Sequence, residues 1–303
     1  MIPKQSFTRA RIAFGLLLGS LAVLAGMGAA RETAPAAVAE LHGAPSQRIM
    51  SANLCTDLLL LMLVPRSRIT SITHLAHEPV AALMPGADAG VPVNHGTAEE
   101  VVRDRPDLIL ASPWTTPAMR RLARKAGARV VEVGDANSFA DIRRVTRAVG
   151  AAVGERHRAE SLIAAMDRDL TDLAANAPAR ARRVVVWNGD GSVPGEGTLA
   201  DAIIRAAGGV NVAAKFPDTR YSTYSMEELL MVRPDAILRG VDGYDRPSLR
   251  DTAGEHPLIW KAFAGRRLTY PASLYACGTP LSGRLARDLR AELARVPEGG
   301  VAW

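Results

Sequence analysis

Most of the tryptophan and tyrosine side chains of this sequence lie in segments that are typical of loops. Aromatic rings give a large contact area at a small loss of conformational entropy, and they suit a flat, largely apolar organic ligand. The alternative is that some of these rings pack at the base of loops, inside the core. The aromatic candidates for ligand contact are Trp114, Trp187, Tyr221, Tyr224, Tyr244 and Tyr275.

Histidines and an asparagine add polar chemistry close to the same loops. His74 and His77 form an H-x-x-H pair, and with His95 they could ligate a metal ion. The second half of the chain supplies no matching histidine, because His256 lies in a predicted loop. We therefore assign no site for a bare metal ion, and we expect His74 and Asn53 to contact an organic ligand.

Two cysteines, Cys55 and Cys277, are 222 residues apart in the chain but both follow predicted strands. An exported protein could join them in a disulfide that crosses the mouth of a ligand site and restrains its opening. They could also be two free thiols near the ligand, or lie too far apart to bond, since bridging needs Cα atoms within about 7 Å. The sequence leaves these three alternatives open.

Apolar runs alternate with helical patterns along the chain, which is typical of α/β proteins. The first half gives strands at 48–51, 68–73, 108–111 and 130–133, with helices at 57–64, 97–104 and 116–126. The second half gives strands at 183–187, 236–239 and 267–270, with helices at 198–207, 225–232 and 281–295. We predict an α/β fold of two Rossmann-like lobes with mostly parallel sheets. The candidate residues follow the carboxyl ends of the strands, where such sheets bind ligands.

A helical stretch separates the two lobes. Ser138 can cap a helix that runs to about residue 152, and Gly154 separates it from a second helix over 155–176. The second helix would span about 33 Å at about 1.5 Å per residue. We predict an N-terminal lobe over 47–137, a connector over 138–178 and a C-terminal lobe over 179–303, with the one long helix joining the lobes as a stiff strut.

One sequence pattern occurs twice, once in each lobe. Residues 97–110 (TAEEVVRDRPDLIL) and 225–238 (SMEELLMVRPDAIL) are identical at seven of fourteen positions. Thr97 and Ser225 can cap a helix whose first turn carries two acids, where the helix dipole favours them. The Arg-Pro-Asp triplet then ends the helix before a buried strand. The repeat indicates a duplicated half-molecule.

The first thirty residues have the pattern of a secretory signal peptide. Lys4, Arg9 and Arg11 precede an apolar run over 12–26, and small residues follow. A membrane anchor is the alternative, but it needs about 20 apolar residues. We predict a signal peptide over 1–30 that is cleaved on export, and a flexible leader rich in alanine and proline over 31–46.

Composition and missing motifs argue against several classes of function. The chain of 303 residues has 37 Lys and Arg against 31 Asp and Glu, yet no basic cluster with interleaved aromatics, so we predict no nucleic-acid binding. The sequence has no nucleophile elbow, no H-E-x-x-H segment and no catalytic triad in a recognisable context. A protein that is not an enzyme is favoured; an exported enzyme or a ligand-sensing module is the alternative.

The order of the motifs is similar to that of one known family. The segment RIMSANLCTDLLLLM precedes RITSITHLAHEP, GTAEEVVRDRPDLILAS, the connector, VVVWNGDG, SMEELLMVRPDAILR and LYACGTPLSGRLA. With the export signal, this arrangement resembles the class III periplasmic solute-binding proteins of ABC importers, the group serving vitamin B12, haem and ferric siderophores. The resemblance covers about residues 47–296.

The resemblance implies a monomeric periplasmic carrier whose partners are the membrane subunits of an ABC importer. In the family, one carboxylate on each lobe meets arginine on these subunits, and the matching positions here are Glu99 and Glu227. Glu100 and Glu228 could share the role or be purely structural, and the sequence does not decide between these.

The resemblance also implies a cargo, namely a small metal chelate that brings its own iron or cobalt, with no resident cofactor. By analogy, the strongest aromatic candidates are Trp187, Tyr221 and Tyr275. A ferric catecholate is an anion, so basic residues in the second lobe tilt the expectation towards a ferric siderophore over a corrinoid, with haem third. These basic residues are Arg220, Arg239 and Arg246.

Overall fold

The computed structural model describes residues 46–187, 192–215, 220–241, 256–271 and 273–298, and all of them fall within one compact unit, Ala44–Trp303. The predicted signal peptide, nearly all of the leader, and Tyr244 and Arg246 lie outside the described residues. Within the described residues the chain is an α/β protein with two parallel sheets, which confirms the predicted fold class.

The N-terminal lobe is a five-stranded parallel sheet with the strand order β3-β2-β1-β4-β5. Its elements are, in chain order, β1 (Ile49–Ser51), α1 (Leu54–Leu63), β2 (Ile69–Thr73), α2 (His77–Leu83), β3 (Val93–Asn94), α3 (Ala98–Asp104), β4 (Leu108–Ala111), α4 (Pro117–Lys125) and β5 (Arg129–Glu132). The central strands are buried from end to end, as expected for a parallel sheet covered on both faces.

The connector is a pair of helices, α5 (Phe139–Val153) and α6 (Arg156–Ala175). Ser138 caps α5 by accepting from the backbone N–H of Asp141, and Gly154 ends it with φ 79°, a left-handed conformation that glycine adopts without strain. The two helices pack on each other, and Arg143 binds Asp167 across them at 2.6 Å. The connector thus contains both helices that the sequence predicted.

The C-terminal lobe is a four-stranded parallel sheet with the order β11-β10-β6-β8, beside a two-stranded antiparallel ribbon of β7 and β9. Its elements are β6 (Arg183–Val186), β7 (Ser192–Pro194), α7 (Leu199–Ala206), β8 (Val210–Asn211), β9 (Tyr221–Thr223), α8 (Met226–Val232), β10 (Ala236–Val241), α9 (Pro257–Ala262), β11 (Arg267–Pro271), α10 (Ser273–Ala276) and α11 (Ser282–Arg295).

One apolar core runs through both lobes and the connector. Leu58 of α1, Val145 of α5, Met166 of α6 and Leu289 of α11 all belong to this cluster of buried side chains. Gly283 lets α11 approach α6 closely, because a Cβ at this position would lie 3.0 Å from the Met166 side chain. Continuous close packing of this kind resists relative movement of the lobes.

Arginine side chains strengthen the same junction by binding carbonyl groups at helix ends. Arg68 donates to the carbonyl of Val153, at the end of α5, and pairs with Glu155. Arg290 of α11 donates to the carbonyl of Leu173, near the end of α6. The last carbonyls of a helix lack partners within the helix and carry partial negative charge, so a guanidinium stabilises them.

Candidate functional site

A disulfide joins a segment that follows a strand of the first sheet to a segment that follows a strand of the second sheet. Cys55 lies in the first turn of α1, just after β1, and Cys277 follows β11 and α10. The two sulfurs are bonded, and the Cα atoms are 4.9 Å apart. Of the three alternatives, the structure therefore has the disulfide. A cleft between strand carboxyl ends is where open α/β sheets bind ligands.

The disulfide lies beside the start of the connector. Gly278 is in contact with the N-terminal lobe, because a Cβ there would overlap the carbonyl oxygen of Ala136 and lie 3.0 Å from Ile142 of α5. Cys277 itself is buried. The bond therefore fastens the lobes where they already touch.

Two histidines from neighbouring strand ends stack on each other at the cleft edge of the N-terminal lobe. His74 follows β2 and His95 follows β3, and both side chains are exposed. Their ring centroids are 4.8 Å apart and their planes are inclined by 20°. The sequence placed both near the site but gave no indication that the rings stack.

Glu100 holds His95 from behind. Its carboxylate accepts from the backbone N–H of His95 at 2.9 Å and of Thr97 at 2.9 Å, and its Oε1 lies 3.4 Å from His95 Nδ1. Burial alone would raise the pKa of Glu100, but hydrogen bonds from Thr97 and His95 outweigh it and lower that pKa. Glu100 is therefore an ionised acceptor at neutral pH.

The two copies of the sequence repeat form the same helix start. In α3 the side chain of Thr97 accepts from the N–H of Glu100, while Glu100 caps the N–H of Thr97. In α8, Ser225 and Glu228 form the same reciprocal pair. Both helices end at an arginine in the left-handed conformation, with φ 42° and 48°. The capping box satisfies helix N–H groups that would otherwise lack partners.

This geometry separates the two acids in each copy. Glu100 and Glu228 turn back to cap their helices and are structural. Glu99 and Glu227 are exposed in the first turns of α3 and α8. In each copy of the repeat, therefore, one exposed glutamate takes no part in the capping box.

Two exposed aromatic rings lie near the carboxyl ends of the sheets, one in each lobe. Trp114 is 78% exposed in the turn between β4 and α4, where its backbone N–H donates to Ser112 Oγ. Tyr221 is 62% exposed at the start of β9, opposite Pro194 of β7. Both rings are accessible to a ligand, so both remain predicted ligand contacts.

Trp187 requires a correction, because it is only 3% exposed. Its backbone N–H donates to the carbonyl of Leu238, which continues the pairing of β6, and its Nε1 donates to the carbonyl of Tyr224 at 3.3 Å. Its ring belongs to the core cluster that also contains Val185. The predicted ligand contact at Trp187 is therefore replaced by core packing, and the same holds for Tyr224.

Tyr275 also departs from its predicted place in the cleft. Its ring centroid is 3.9 Å from that of Tyr270, and both rings line a cavity of about 140 Å³ between β11 and α11. Burial raises the pKa of Tyr275 far above its usual range. The side chain thus faces the layer between the sheet and α11, not the other lobe.

Asn53 has a structural task as well as a position in the cleft. Its Oδ1 caps α1 by accepting from the N–H of Cys55 at 2.9 Å, and its side chain lines a crevice of about 20 Å³ between the lobes.

Of the three predicted basic residues, Arg220 is exposed and Arg239 is half-buried on β10. Among the described residues, no group of three or more histidine, cysteine, aspartate or glutamate side chains is arranged to hold a metal ion.

A buried carboxyl is hydrogen-bonded to the residue that precedes His74. Asp57 of α1 is fully buried, accepts from the N–H of Thr73 at 3.1 Å and bonds Thr73 Oγ1 at 2.5 Å. Burial raises its pKa to about 7, and the hydrogen bonds from Ser51 and Thr73 offset only part of this effect. Thr73 ends β2 and precedes His74, so Asp57 fixes the strand end that presents His74.

Comparison with known proteins places this architecture among binding proteins. A family described as "Periplasmic binding protein" matches residues 49–248. Two curated relatives named "Cobalamin-binding protein", from two strains of Halobacterium salinarum, are each 27% identical over 201 residues, which is 64% of this chain and 54% of the relative. The chain spans about half the length of the curated relatives it matches.

Solved structures share the fold at low sequence identity. The haem-binding protein HutB of Vibrio cholerae has a TM-score of 0.68 and 19% identity, and the match covers 82% of this chain and 98% of that one. The vitamin B12-binding protein BtuF of the same organism has a TM-score of 0.60 and 19% identity, covering 82% and 97%. An ABC-type Fe3+-hydroxamate transport system from Saccharomonospora viridis has a TM-score of 0.65 and 18% identity, covering 82% and 93%. In the part of the chain that the structure describes, no helix is both long and apolar enough to span a bilayer.

Proposed function

The chain belongs to the periplasmic binding protein family, and from this premise we propose that it carries a small metal chelate to the membrane subunits of an ABC importer. The cargo lies in the cleft between the carboxyl ends of the two sheets. The protein acts by binding, not by catalysis, as a monomer outside the cytoplasm, after removal of the signal peptide at residues 1–30.

The observation that carries this proposal is the duplicated helix start. Each copy of the repeat contains one exposed glutamate that does not cap its helix, Glu99 or Glu227, and the glutamate that follows it forms the capping box. A pair of equivalent acids on a two-lobed body is complementary to a two-fold symmetric membrane partner that offers arginine on each side. Helix capping alone explains the second glutamate of each pair and leaves the first without a structural task.

The chemistry of the cleft supports an organic chelate as the cargo. The stacked imidazoles of His74 and His95, the exposed ring of Trp114 and, from the other lobe, the exposed ring of Tyr221 combine apolar area with nitrogen donors. Relatives and fold neighbours named above are described as binding cobalamin or haem, or as an Fe3+-hydroxamate transport system. Each of these three compounds contains a metal held by an organic ligand. A corrinoid, a haem or a ferric siderophore is the expected class.

Titration of the purified mature protein tests the binding step. Aquocobalamin, haemin and a ferric hydroxamate are added separately while tryptophan fluorescence is followed, because exposed Trp114 would report a ligand in the cleft. We expect saturable quenching with one of the three classes. Absence of binding to all three would contradict the proposal.

Docking is tested by the double variant Glu99→Gln with Glu227→Gln, which removes both charges and keeps side-chain shape. We expect chelate affinity to stay unchanged while uptake into cells falls. Asp172→Asn, an exposed acid on α6 away from the repeat, is the matched control and should leave uptake intact. Normal uptake with the double variant would remove these acids from docking.

A further inference from the structure

We infer that a cavity in the C-terminal lobe binds a small phosphate-type oxyanion, at a site separate from the cleft proposed for the chelate. The cavity has a volume of about 220 Å³ and lies among the segments that follow α6 and α7, the residues before β6, and α11. Pockets for larger organic ligands have about 300–1,000 Å³, so this one suits a small molecule. The inference does not depend on the proposed carrier function.

The cavity lies at the amino end of the sheet, whereas the proposed cleft and the docking acid lie at its carboxyl end. Arg182 lines the cavity and immediately precedes β6. At the start of β6, Arg183 donates to the carbonyl of Val232, in the last turn of α8, at 2.7 Å. The first turn of α8, with Glu227, is therefore one helix length away, towards the carboxyl ends of the strands. An anion in the cavity leaves the cleft and Glu227 free.

Positive charge is in excess around the cavity. Its described lining residues include three arginines, Arg180, Arg182 and Arg290, against one acid, Glu298. A phosphate monoester carries about −1.5 to −2 charges near pH 7, which matches this excess of two positive charges. The planar fork of a guanidinium also fits the oxygens of phosphate, with two parallel hydrogen bonds.

Arg290 forms a fixed wall of the cavity. Its guanidinium donates to the carbonyls of Ala207 and Asn176, and also to that of Leu173 at 3.2 Å. These carbonyls lie at or just beyond the ends of α6 and α7, where they would otherwise present negative charge to the cavity. Arg290 therefore cancels the negative ends of two helices and adds a positive charge of its own.

Arg182 has donor capacity that the protein does not use. Its Nη2 donates to the carbonyl of Val296 at 2.9 Å. Its Nη1 is buried and has no hydrogen-bond partner in the part of the chain that the structure describes. A buried donor without an acceptor is destabilising, and native proteins rarely retain one. A small turn of this guanidinium towards the cavity gives Nη1 an acceptor when an oxyanion is bound there.

Arg180 is the second guanidinium that can turn to an anion at little cost. Its side chain is 63% exposed, and its Nη2 lies 3.9 Å from Asp235 Oδ1, which is too long for a hydrogen bond. Asp235 also accepts from the backbone N–H of Arg183 at 2.8 Å, so it keeps a partner when Arg180 moves. An exposed ion pair of this kind contributes little to stability.

The rest of the wall is apolar and leaves room for a short organic group. Pro178, Ala207 and Ala294 line this part of the cavity. Gly208 holds the wall close, because its φ is 76° and a Cβ there would lie 2.6 Å from the Pro178 ring and 2.9 Å from Arg290 Nη2. The combination of arginines with a small apolar wall favours a short phosphomonoester.

Isothermal titration calorimetry of the purified protein with glycerol 3-phosphate tests the inference, in a chloride buffer of constant ionic strength. We expect one saturable site in wild type, for which inorganic phosphate competes. Glycerol, which has the organic group without the phosphate, should not bind. Vesicles of phosphatidylglycerol offer the same phosphate chemistry in a membrane, and we expect no binding to them through this site.

Two variants and a control assign the site. Arg180→Gln changes an exposed side chain, so folding is not at risk, and we expect the affinity for glycerol 3-phosphate to fall by about tenfold or more, because a hydrogen bond to a charged group is lost. Arg182→Gln should have the same effect, with urea unfolding to check that this variant folds. Arg121→Gln, an exposed arginine on α4 of the other lobe, is the matched control and should bind as wild type does.

Three results would overturn the inference. One is absence of a saturable site for glycerol 3-phosphate in wild type. A second is equal affinity in wild type, Arg180→Gln and folded Arg182→Gln. The third is sedimentation with the vesicles that Arg180→Gln abolishes, without binding of glycerol 3-phosphate, which would assign the cavity to a lipid headgroup. Each of these leaves the chelate titration, and with it the proposed function, untouched.

Discussion

Replacing the buried carboxyl of the N-terminal lobe, Asp57→Asn, should remove most of the pH dependence of stability near neutrality. In the folded protein burial raises the pKa of Asp57 from 3.8 to about 7. Asparagine keeps an oxygen to accept from Thr73 N–H and an NH₂ group to donate to Thr73 Oγ1. The substitution therefore keeps the hydrogen bonds and eliminates the charge.

The sign follows from proton linkage. Below pH 3.8 both the folded and the unfolded chain hold the proton, so Asp57 adds no pH-dependent penalty. As the pH rises from 3.8 to about 7, the unfolded chain releases the proton while the folded chain retains it, so the free energy of unfolding falls. A shift of about three pKa units corresponds to a loss of about 4 kcal/mol once the pH exceeds 7.

Urea unfolding at a series of pH values between 4 and 9, with the disulfide intact, measures this difference. We expect the curves of wild type and Asp57→Asn to diverge as the pH rises, with the variant the more stable by a few kcal/mol at pH 8. The exposed control Asp172→Asn should follow wild type. Parallel curves for wild type and Asp57→Asn would refute the assignment of a neutral, buried carboxyl at neutral pH.

Other substitutions test the junction between the lobes and the helix starts. Cys55→Ser with Cys277→Ser opens a covalent loop spanning 222 residues, and the chain-entropy model gives a loss of stability of up to about 5 kcal/mol. The loss is measurable as a lower urea midpoint, and wild type with a reduced disulfide should show the same midpoint. Gly278→Ala should cost about 1–3 kcal/mol by thermal unfolding, because the added Cβ overlaps a carbonyl of the N-terminal lobe; unchanged stability would mean that the lobes do not touch there. Ser225→Ala should lower stability by about 1 kcal/mol through loss of the α8 cap. Glu227→Ala should change stability by less than about 0.5 kcal/mol, because Glu227 does not cap the helix. Equal losses in the two variants would contradict this division of roles.

Elements with a strong local pattern were predictable from the sequence. Strand β4 matches its predicted bounds, and α5 and α6 end within two residues of theirs, because Ser138 and Gly154 are capping signals with a direct physical cause. Strands of two or three residues, such as β3, β7, β8 and β9, were missed. Their pairing depends on neighbours distant in the chain, and so few residues carry no periodicity.

The side-chain environment was less predictable than the fold. Trp187 follows a buried strand, and the sequence does not show that its N–H still pairs with Leu238, which turns the ring into the core. Tyr275 lies on α10, a single turn without a pattern of its own. The disulfide depends on a Cα separation that no spacing along the chain encodes.

The link between His95 and Glu100 had a detectable signal. Thr97 followed by Glu100 is the capping-box pattern, which turns the glutamate back towards the residues before the helix. A histidine two residues before Thr97 is then within reach of that carboxylate. Recognition of the box would have identified Glu100 and Glu228 as structural and singled out Glu99 and Glu227 from the sequence alone.

The central claim is that this chain delivers a metal chelate to an importer. The most direct test is to measure uptake of labelled chelate by cells that lack this protein. We predict that deletion of the chain abolishes uptake of the chelate that the purified protein binds. Wild type should restore uptake, and the variant with both Glu99→Gln and Glu227→Gln should not. Unimpaired uptake in the deletion strain, with no second carrier for the same chelate, would contradict the account.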